Sequence, residues 1–130
     1  MSQENVEIVR HGYKQFAATG ETRAHRDLVW DVSNLGWPDQ QVYSGLDGLR
    51  AAWLDWLEPW ESYHPGVEDV IDAGNDRVVV LTRDQARPKG SSAETEFLGA
   101  PVWTVRDGKV ARIEFYWDRS EGLAAAGLAA

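Results

Sequence analysis

The sequence feature that most constrains the fold is a long β-hairpin predicted over residues 95–118. Two apolar runs rich in β-branched and aromatic residues meet there at Arg106-Asp107-Gly108-Lys109, a combination typical of a tight turn. In the second arm, apolar residues alternate with a mixed polar and aromatic set, and a strand places alternate residues on opposite faces. The apolar set consists of Ala111, Ile113, Phe115 and Trp117. A sheet that contains this hairpin should therefore border a hydrophobic interior.

Composition limits the class of protein. With 130 residues, the chain is expected to form one domain, residues 1–130, that buries roughly two thirds of the surface exposed by its unfolded chain. Its formal charge of -8 repels phosphate backbones and anionic lipids, so neither nucleic acid nor a membrane is an expected partner. There is no cysteine for disulfides or thiolate chemistry. No signal-peptide pattern and no apolar run of about 20 residues is found, so a cytoplasmic location is predicted.

The remaining elements are predicted from periodicity, caps and turns. Helices are predicted over residues 3–19, 22–28, 46 to about 58, and 119–126, and further strands over residues 28–33, 67–73 and 77–86. Gly and Pro in residues 34–39 predict an irregular loop. This order favours an α+β fold, in which a cone-shaped, curved antiparallel sheet packs against three helices on one face. The space between helices and sheet can be filled by side chains or left as a pocket.

Five stretches along nearly the whole chain carry a family resemblance: ENVEIVRHGYKQF, DLVWDVS, VYSGLDGLRAAWLDWLEPW, IDAGNDRVVVL and VWTVRDGKVARIEFYWDRSEGL. In these, the chain resembles the nuclear transport factor two-like superfamily, and within it the SnoaL-like proteins related to polyketide cyclases and ketosteroid isomerases. The resemblance implies a cone-shaped fold, homodimerisation through the exposed sheet face, and a buried pocket for an apolar small molecule. It implies no particular reaction, because this fold hosts enzymes, binding domains and scaffolds. No cofactor is expected.

The catalytic groups of ketosteroid isomerases are only partly matched. Those enzymes combine an aspartate base with a tyrosine and a protonated carboxylic acid. The resemblance places Tyr13 at the tyrosine, Val32 at the base and Pro101 at the acid, so two of the three groups cannot transfer a proton. Asp31 and Asp118 are the candidates for a displaced base that acts with Tyr13. Strand alternation would turn Asp31 outward, and Asp118 could instead cap the final helix.

The seven tryptophans exceed what core packing requires. Each indole N–H needs a partner, whereas Leu and Ile fill a core without that requirement. Aromatic walls suit a flat, apolar ligand. The predicted ligand-binding residues are Tyr13, Phe16, Trp30, Val32, Trp37, Trp53, Trp56, Pro101, Ile113, Phe115 and Trp117.

Histidine spacing gives no indication of a metal site. His11, His25 and His64 lie in separate predicted elements, without an HxH or HExxH pattern. Surface or capping roles are therefore predicted for them, and no metal is expected.

The sequence favours a protein that binds an apolar or aromatic small molecule in an aromatic-lined pocket. Two alternatives stay open. One is an isomerase, cyclase or hydrolase that acts on an apolar polycyclic or aromatic substrate by acid/base catalysis. The other is a non-catalytic homodimeric scaffold, with Arg112, Glu114 and Tyr116 at the interface of the dimer.

Overall fold

The computed structural model describes residues 2–19, 24–32 and 42–128, with the side chains of residues 3–15, 28–32 and 42–128. Within these ranges there are three α-helices and eight β-strands. In chain order they are α1 (Ser2–Thr19), β1 (Ala24–Asp31), β2 (Val42–Ser44), α2 (Gly45–Leu57), β3 (Trp60–His64), β4 (Val67–Gly74), β5 (Arg77–Pro88), β6 (Thr95–Gly99), β7 (Val102–Arg106), β8 (Lys109–Glu114) and α3 (Arg119–Ala125).

All eight strands belong to one sheet, whose order is β2-β1-β8-β7-β5-β3, with β4 and β6 also paired to β5. The long strand β5 pairs with β4 and β7 near its start and with β3 and β6 near its end. The predicted α+β fold with a curved sheet and three helices is confirmed. The sheet is mixed rather than purely antiparallel, because β1 runs parallel to β8.

The predicted hairpin forms, with one interruption. At its turn, Asp107 and Gly108 have φ values of 56° and 73°, and such positive φ angles match the twist of the flanking strands. The first arm is divided into β6 and β7 at Ala100 and Pro101. Proline has no N–H for the ladder, although the carbonyl of Pro101 accepts a hydrogen bond from the Val80 N–H at 3.0 Å. Both halves of the arm thereby stay attached to β5.

Three local predictions need correction or were missing. Residues 24–27 lie in β1, so the helix predicted over residues 22–28 is wrong there; its pattern contained too few apolar residues to fix a helical face. The short strands β2 and β3 were not predicted, because runs of three and five residues are too short to establish a periodic pattern in the sequence. The loop predicted over residues 34–39 lies outside the described residues.

The two faces of the sheet are covered by different helices. One face packs against α1 and α2 in a core cluster that includes Val9, Leu49, Val78, Val80 and Trp103. The other face carries a smaller cluster of Val79, Ala100, Val102 and Ala126, which α3 covers. The sequence had predicted that the helices lie on one face of the sheet. Instead, α3 lies on the face opposite α1 and α2. Alternate residues of β5 contribute to the two clusters, as a strand requires.

Candidate functional site

A pocket with mostly aromatic walls lies between the first two helices and the sheet. Its lining residues are Tyr13, Trp30, Trp53, Trp56, Tyr63, Thr82, Asp84, Gly99, Pro101, Phe115, Tyr116 and Trp117. Its volume is about 30 Å³, taken as the space that the centre of a water molecule can reach. Since a single water needs at least about 10–15 Å³ by this measure, the pocket admits a small group in this conformation. A larger ligand would require the aromatic side chains to move.

Strand alternation carries an acid into this pocket. Along β5, Val78, Val80, Thr82 and Asp84 are all buried, whereas Arg83 between the last two is exposed. Asp84 is 7% exposed and is the carboxylate among the pocket's lining residues. The sequence prediction did not include it as a site residue. The signal was present, because extending the alternation of Val78 and Val80 by four residues reaches Asp84.

Both oxygens of the Asp84 carboxyl accept hydrogen bonds. The Tyr63 hydroxyl donates to Oδ2 at 2.5 Å, and the Gly66 N–H donates to Oδ1 at 3.1 Å. Trp56 in turn hydrogen-bonds the Tyr63 hydroxyl. Because an indole N–H can only donate, the Tyr63 oxygen accepts from Trp56 while its own proton points to Asp84. The three side chains thus form a directed chain that ends at the carboxylate.

Gly66 allows the backbone to approach Asp84 this closely. A Cβ atom at this position would lie 2.6 Å from the carbonyl oxygen of Arg83. The Gly66 carbonyl also accepts a hydrogen bond from the Arg83 N–H at 3.0 Å. A side chain here would push the two backbone segments apart, so glycine is required by the close contact.

Burial shifts the titration of Asp84, Tyr13 and Tyr63 in the pocket. It raises the pKa of the Asp84 carboxyl, and the hydrogen bonds from Tyr63 and Gly66 oppose that shift by favouring the charged form. Burial also raises the pKa of the Tyr13 and Tyr63 hydroxyls well above the ordinary value, and the charge of Asp84 adds to both shifts. The two tyrosines therefore remain protonated donors at neutral pH.

The predicted catalytic residues are not brought together. Tyr13 lines the pocket and is 6% exposed. Asp31 instead forms an ion pair with Arg112, with 2.7 Å between Oδ2 and Nη2. Asp118 caps α3 by accepting hydrogen bonds from the N–H groups of Ser120 and Glu121 at 2.8 and 3.2 Å. Neither Asp31 nor Asp118 lines the pocket that contains Tyr13.

The predicted ligand-binding residues fall into three groups. Seven line the pocket: Tyr13, Trp30, Trp53, Trp56, Pro101, Phe115 and Trp117. Val32 and Ile113 are fully buried in the adjoining core cluster and do not line the pocket. Trp37 and the side chain of Phe16 lie outside the described part of the chain. Ligand binding by any of these residues stays a prediction.

The charged residue next to Asp84 belongs to a surface cluster. Arg83 contacts Glu68 at 2.7 Å and Glu96 at 2.6 Å, and Arg119 also pairs with Glu68. These partly exposed ion pairs lie on the side of β5 that faces away from the pocket. In contrast, no Lys, Arg or His occurs among the described residues that line the pocket.

Neither a metal-binding cluster nor a membrane-spanning helix is found among the described residues. His11 and His64 are exposed, and no cluster of three or more His, Cys, Asp or Glu side chains in residues 2–19, 24–32 and 42–128 is placed to hold a metal ion. None of the helices within those ranges has the length and apolar character needed to cross a membrane.

Comparison with known families and proteins gives matches that extend over most of the chain. The SnoaL-like domain family matches residues 9–113. A curated HPr kinase/phosphorylase from Stenotrophomonas maltophilia (strain K279a) is 30% identical over 97 residues, which cover 72% of this chain and 28% of that protein. The chain thus spans less than a third of the length of this relative.

Several solved structures share the fold. TerC, co-crystallised with polyporic acid, is 18% identical, with a TM-score of 0.74 over 95% of this chain and 98% of TerC. A protein with a ketosteroid isomerase-like fold from Catenulispora acidiphila DSM 44928, solved with trimethylamine, is 17% identical, with a TM-score of 0.67 over 89% and 92% of the two chains. At these identities the likeness establishes the fold.

Proposed function

The chain belongs to the SnoaL-like domain family, and from that premise we propose that it binds a small, mostly apolar organic molecule in the aromatic pocket. A polar group of this molecule lies against Asp84, Tyr63 and Tyr13. The proposal rests on one observation, a carboxyl that is 7% exposed among aromatic walls. Burying a carboxyl costs free energy that an apolar residue would avoid, so a structural role alone explains it poorly. Fold neighbours solved with polyporic acid and with trimethylamine are compatible with a small organic ligand.

Two aromatic clusters border the pocket and provide its apolar surfaces. On one side, the rings of Trp30 and Phe115 lie 5.2 Å apart between centroids. On the other side, Trp56 and Trp117 lie 5.7 Å apart, and Trp117 stacks on Phe97 at 5.2 Å. Ring faces at both sides suit a ligand with flat or methyl-rich apolar groups. Small shifts of these rings would widen the pocket.

Titration of tryptophan fluorescence with a broad panel of small apolar and aromatic compounds tests the binding function. Since four tryptophans line the pocket, a bound ligand should quench or shift their emission. Thr82→Leu places extra volume in the pocket and should weaken binding at least tenfold. Thr95→Leu is the matched control, because Thr95 is exposed on β6 and lies outside this pocket. If no compound changes the emission, or both variants weaken binding equally, the proposal is contradicted.

A second function, acid/base catalysis, is favoured by the hydrogen bond between Tyr63 and Asp84. A buried carboxyl whose pKa is raised by desolvation is well suited to transfer a proton. In this mechanism Asp84, rather than Asp31 or Asp118, removes a proton from carbon next to a carbonyl of an apolar substrate. Tyr13 then donates a hydrogen bond to the enolate oxygen.

Exchange of the α-protons of α-tetralone, an aromatic ketone, for deuterium tests this second function by NMR. Wild type should accelerate the exchange, and the rate should rise with pH as Asp84 ionises. Asp84→Asn should lose at least a hundredfold of the acceleration. Glu94→Gln, an exposed change of equal charge, should not alter it. Exchange at the buffer rate with wild type would contradict catalysis of this type without affecting the binding proposal.

We also propose that a homodimer forms through the sheet face opposite the pocket. A shallow surface depression on that face includes Val29, Thr104 and Arg112. Within the chain, Arg112 pairs with Asp31 and Glu114. Because these charges already compensate each other, burying them in a dimer interface would cost less free energy than burying isolated charges. Sedimentation at micromolar concentration should give twice the monomer mass, and a monomer would contradict this arrangement.

A further inference from the structure

The buried Asp84 carboxyl has no Lys, Arg or His partner among the described residues, whereas several other carboxylates form ion pairs. Asp31 pairs with Arg112, and both Glu68 and Glu96 pair with Arg83. Glu68 and Glu96 are more than a third exposed to water, which screens their charge, and Asp31, which is buried, has Arg112 as its partner. Asp84 is more deeply placed than Glu68 or Glu96, yet the described residues lining its pocket include no Lys, Arg or His. The buried carboxylate of Asp84 therefore has no compensating positive charge among the described residues.

The hydrogen bonds to Asp84 orient the carboxyl as an acceptor but do not neutralise it. Tyr63 donates to one oxygen at 2.5 Å and Gly66 to the other at 3.1 Å. A carboxylate offers about four acceptor positions, so about two remain for a ligand. Both donors are electrically neutral, so a bound group with a positive charge would add the missing compensation.

The aromatic rings around Asp84 also favour a cation. The face of an aromatic ring carries partial negative charge, and an ammonium ion within about 6 Å of it is attracted. The rings of Trp53 and Trp56 stand nearly perpendicular to that of Tyr63, at angles of 85° and 83°. All three of these rings line the same small space as the carboxyl. The formal charge of -8 on the whole chain would draw cations towards the protein.

We propose that the polar group of the ligand is an organic ammonium ion, whose nitrogen lies beside the Asp84 carboxylate and whose alkyl groups contact the rings of Trp53, Trp56 and Tyr63. This inference rests on the proposed binding function and specifies the charge of the ligand. The small volume of the pocket suits a compact head such as a methylated ammonium group.

The binding of choline and of 3,3-dimethylbutan-1-ol, its neutral carbon isostere, tests this inference by calorimetry. The two compounds have nearly the same shape and differ in charge. Wild type should bind choline at least tenfold more tightly. Asp84→Asn should remove this preference, and Glu94→Gln, an exposed change of equal charge, should retain it. Far-ultraviolet circular dichroism would establish that both variants are folded.

A second measurement with wild type alone does not depend on the folding of a variant. Tyr13, Tyr63 and Tyr116 are the other titratable groups among the described residues that line the pocket, and burial raises the pKa of each hydroxyl, so all three stay protonated across the acidic and neutral range. Lowering the pH through the titration of Asp84 should therefore weaken choline binding and leave binding of the neutral isostere unchanged.

The outcomes separate the two proposals. If the alcohol binds as tightly as choline, or choline binding does not depend on pH, the ammonium inference is overturned while the binding function stands. If neither compound binds and the apolar panel also leaves the tryptophan emission unchanged, both proposals fail.

Discussion

Arg83 and Asp84 are neighbours on one strand, yet their environments are opposite. Arg83 is exposed and contacts two carboxylates, at 2.7 and 2.6 Å. Asp84 points to the other side of β5, is 7% exposed, and receives hydrogen bonds from neutral donors. Arg83 thus has oppositely charged partners within the chain, whereas the described residues that line the pocket offer Asp84 no cationic partner. The difference is the basis of the proposal that Asp84 serves a ligand, whereas the contacts of Arg83 suit a structural role in the sheet.

Disrupting the close backbone contact between Gly66 and Arg83, next to Asp84, should have the largest effect on stability. In Gly66→Ala, the new Cβ would lie 2.6 Å from the Arg83 carbonyl oxygen, which forces the two segments apart and weakens the hydrogen bond to Asp84. We expect a loss of about 3 kcal/mol in the free energy of unfolding, measured with urea.

Gly48→Ala in α2 is the matched control for this change. Its Cβ would meet Tyr43 at 3.4 Å, which is an ordinary contact, and alanine favours a helix. It should leave stability unchanged or raise it by up to about 1 kcal/mol. Equal losses in the two variants would indicate that the close contact of Gly66 with Arg83 places no special requirement on glycine at this position.

Removal of the Tyr63 hydroxyl should have the next largest effect. Tyr63→Phe deprives Oδ2 of Asp84 of its donor at 2.5 Å, and a buried acceptor without a partner costs about 2 kcal/mol. Tyr116→Phe removes a hydroxyl whose contact with Glu114 is 3.3 Å long, so it should cost less than about 0.5 kcal/mol. Urea unfolding of both variants checks this order, and a reversed order would contradict it.

The charge of Asp84 should make stability depend on pH. Burial raises the pKa of Asp84 above its ordinary value of 3.8, so between these two pKa values the folded state binds more protons than the unfolded state. The contribution of Asp84 is thus fully present below pH 3.8 and is lost as the pH rises through the raised pKa.

Asp84→Asn should remove this component. Relative to Glu94→Gln, its stability should therefore improve as the pH rises from acidic to neutral, which urea unfolding at several pH values can measure. If the stabilities of the two variants differ by the same amount at every pH, Asp84 titrates normally and the comparison with Arg83 fails.

The surface cluster should show the smallest effect. Arg83→Gln removes contacts with Glu68 and Glu96, which are all more than a third exposed, so the expected loss is under about 1 kcal/mol. The loss should shrink further in 1 M salt, which screens exposed charges. A loss above about 2 kcal/mol, or one independent of salt, would show that the cluster is more than a surface feature.

The fold was predictable because its main signals are local. The Asp107-Gly108 turn, the stripe of apolar residues in α2 and the alternation in β8 each depend on residues close in sequence. The resemblance to SnoaL-like proteins is confirmed by the match over residues 9–113. Strands β2 and β3 were missed because pairing with distant strands decides them, and short runs carry little pattern of their own.

The candidate site was only partly predictable. The tryptophans indicated aromatic walls, and Trp30, Trp53, Trp56 and Trp117 do line the pocket. The resemblance places the catalytic base at Val32 and so gives no indication of Asp84. The alternation of buried residues along β5 does point to Asp84. The partnership of Asp84 with Tyr63 could not be predicted, since it requires the pairing of β3 with β5.

The titration of the Asp84 carboxyl by carbon-13 NMR tests the central claim most directly. Asp84→Asn assigns the resonance, and the pH of half-titration is read from its chemical shift. We expect Asp84 to titrate at a higher pH than the ordinary aspartate value of 3.8, because its pocket desolvates the charge and supplies no cation. Titration at or below that value would mean that the carboxylate is already compensated, and the claim that the pocket awaits a ligand would be contradicted.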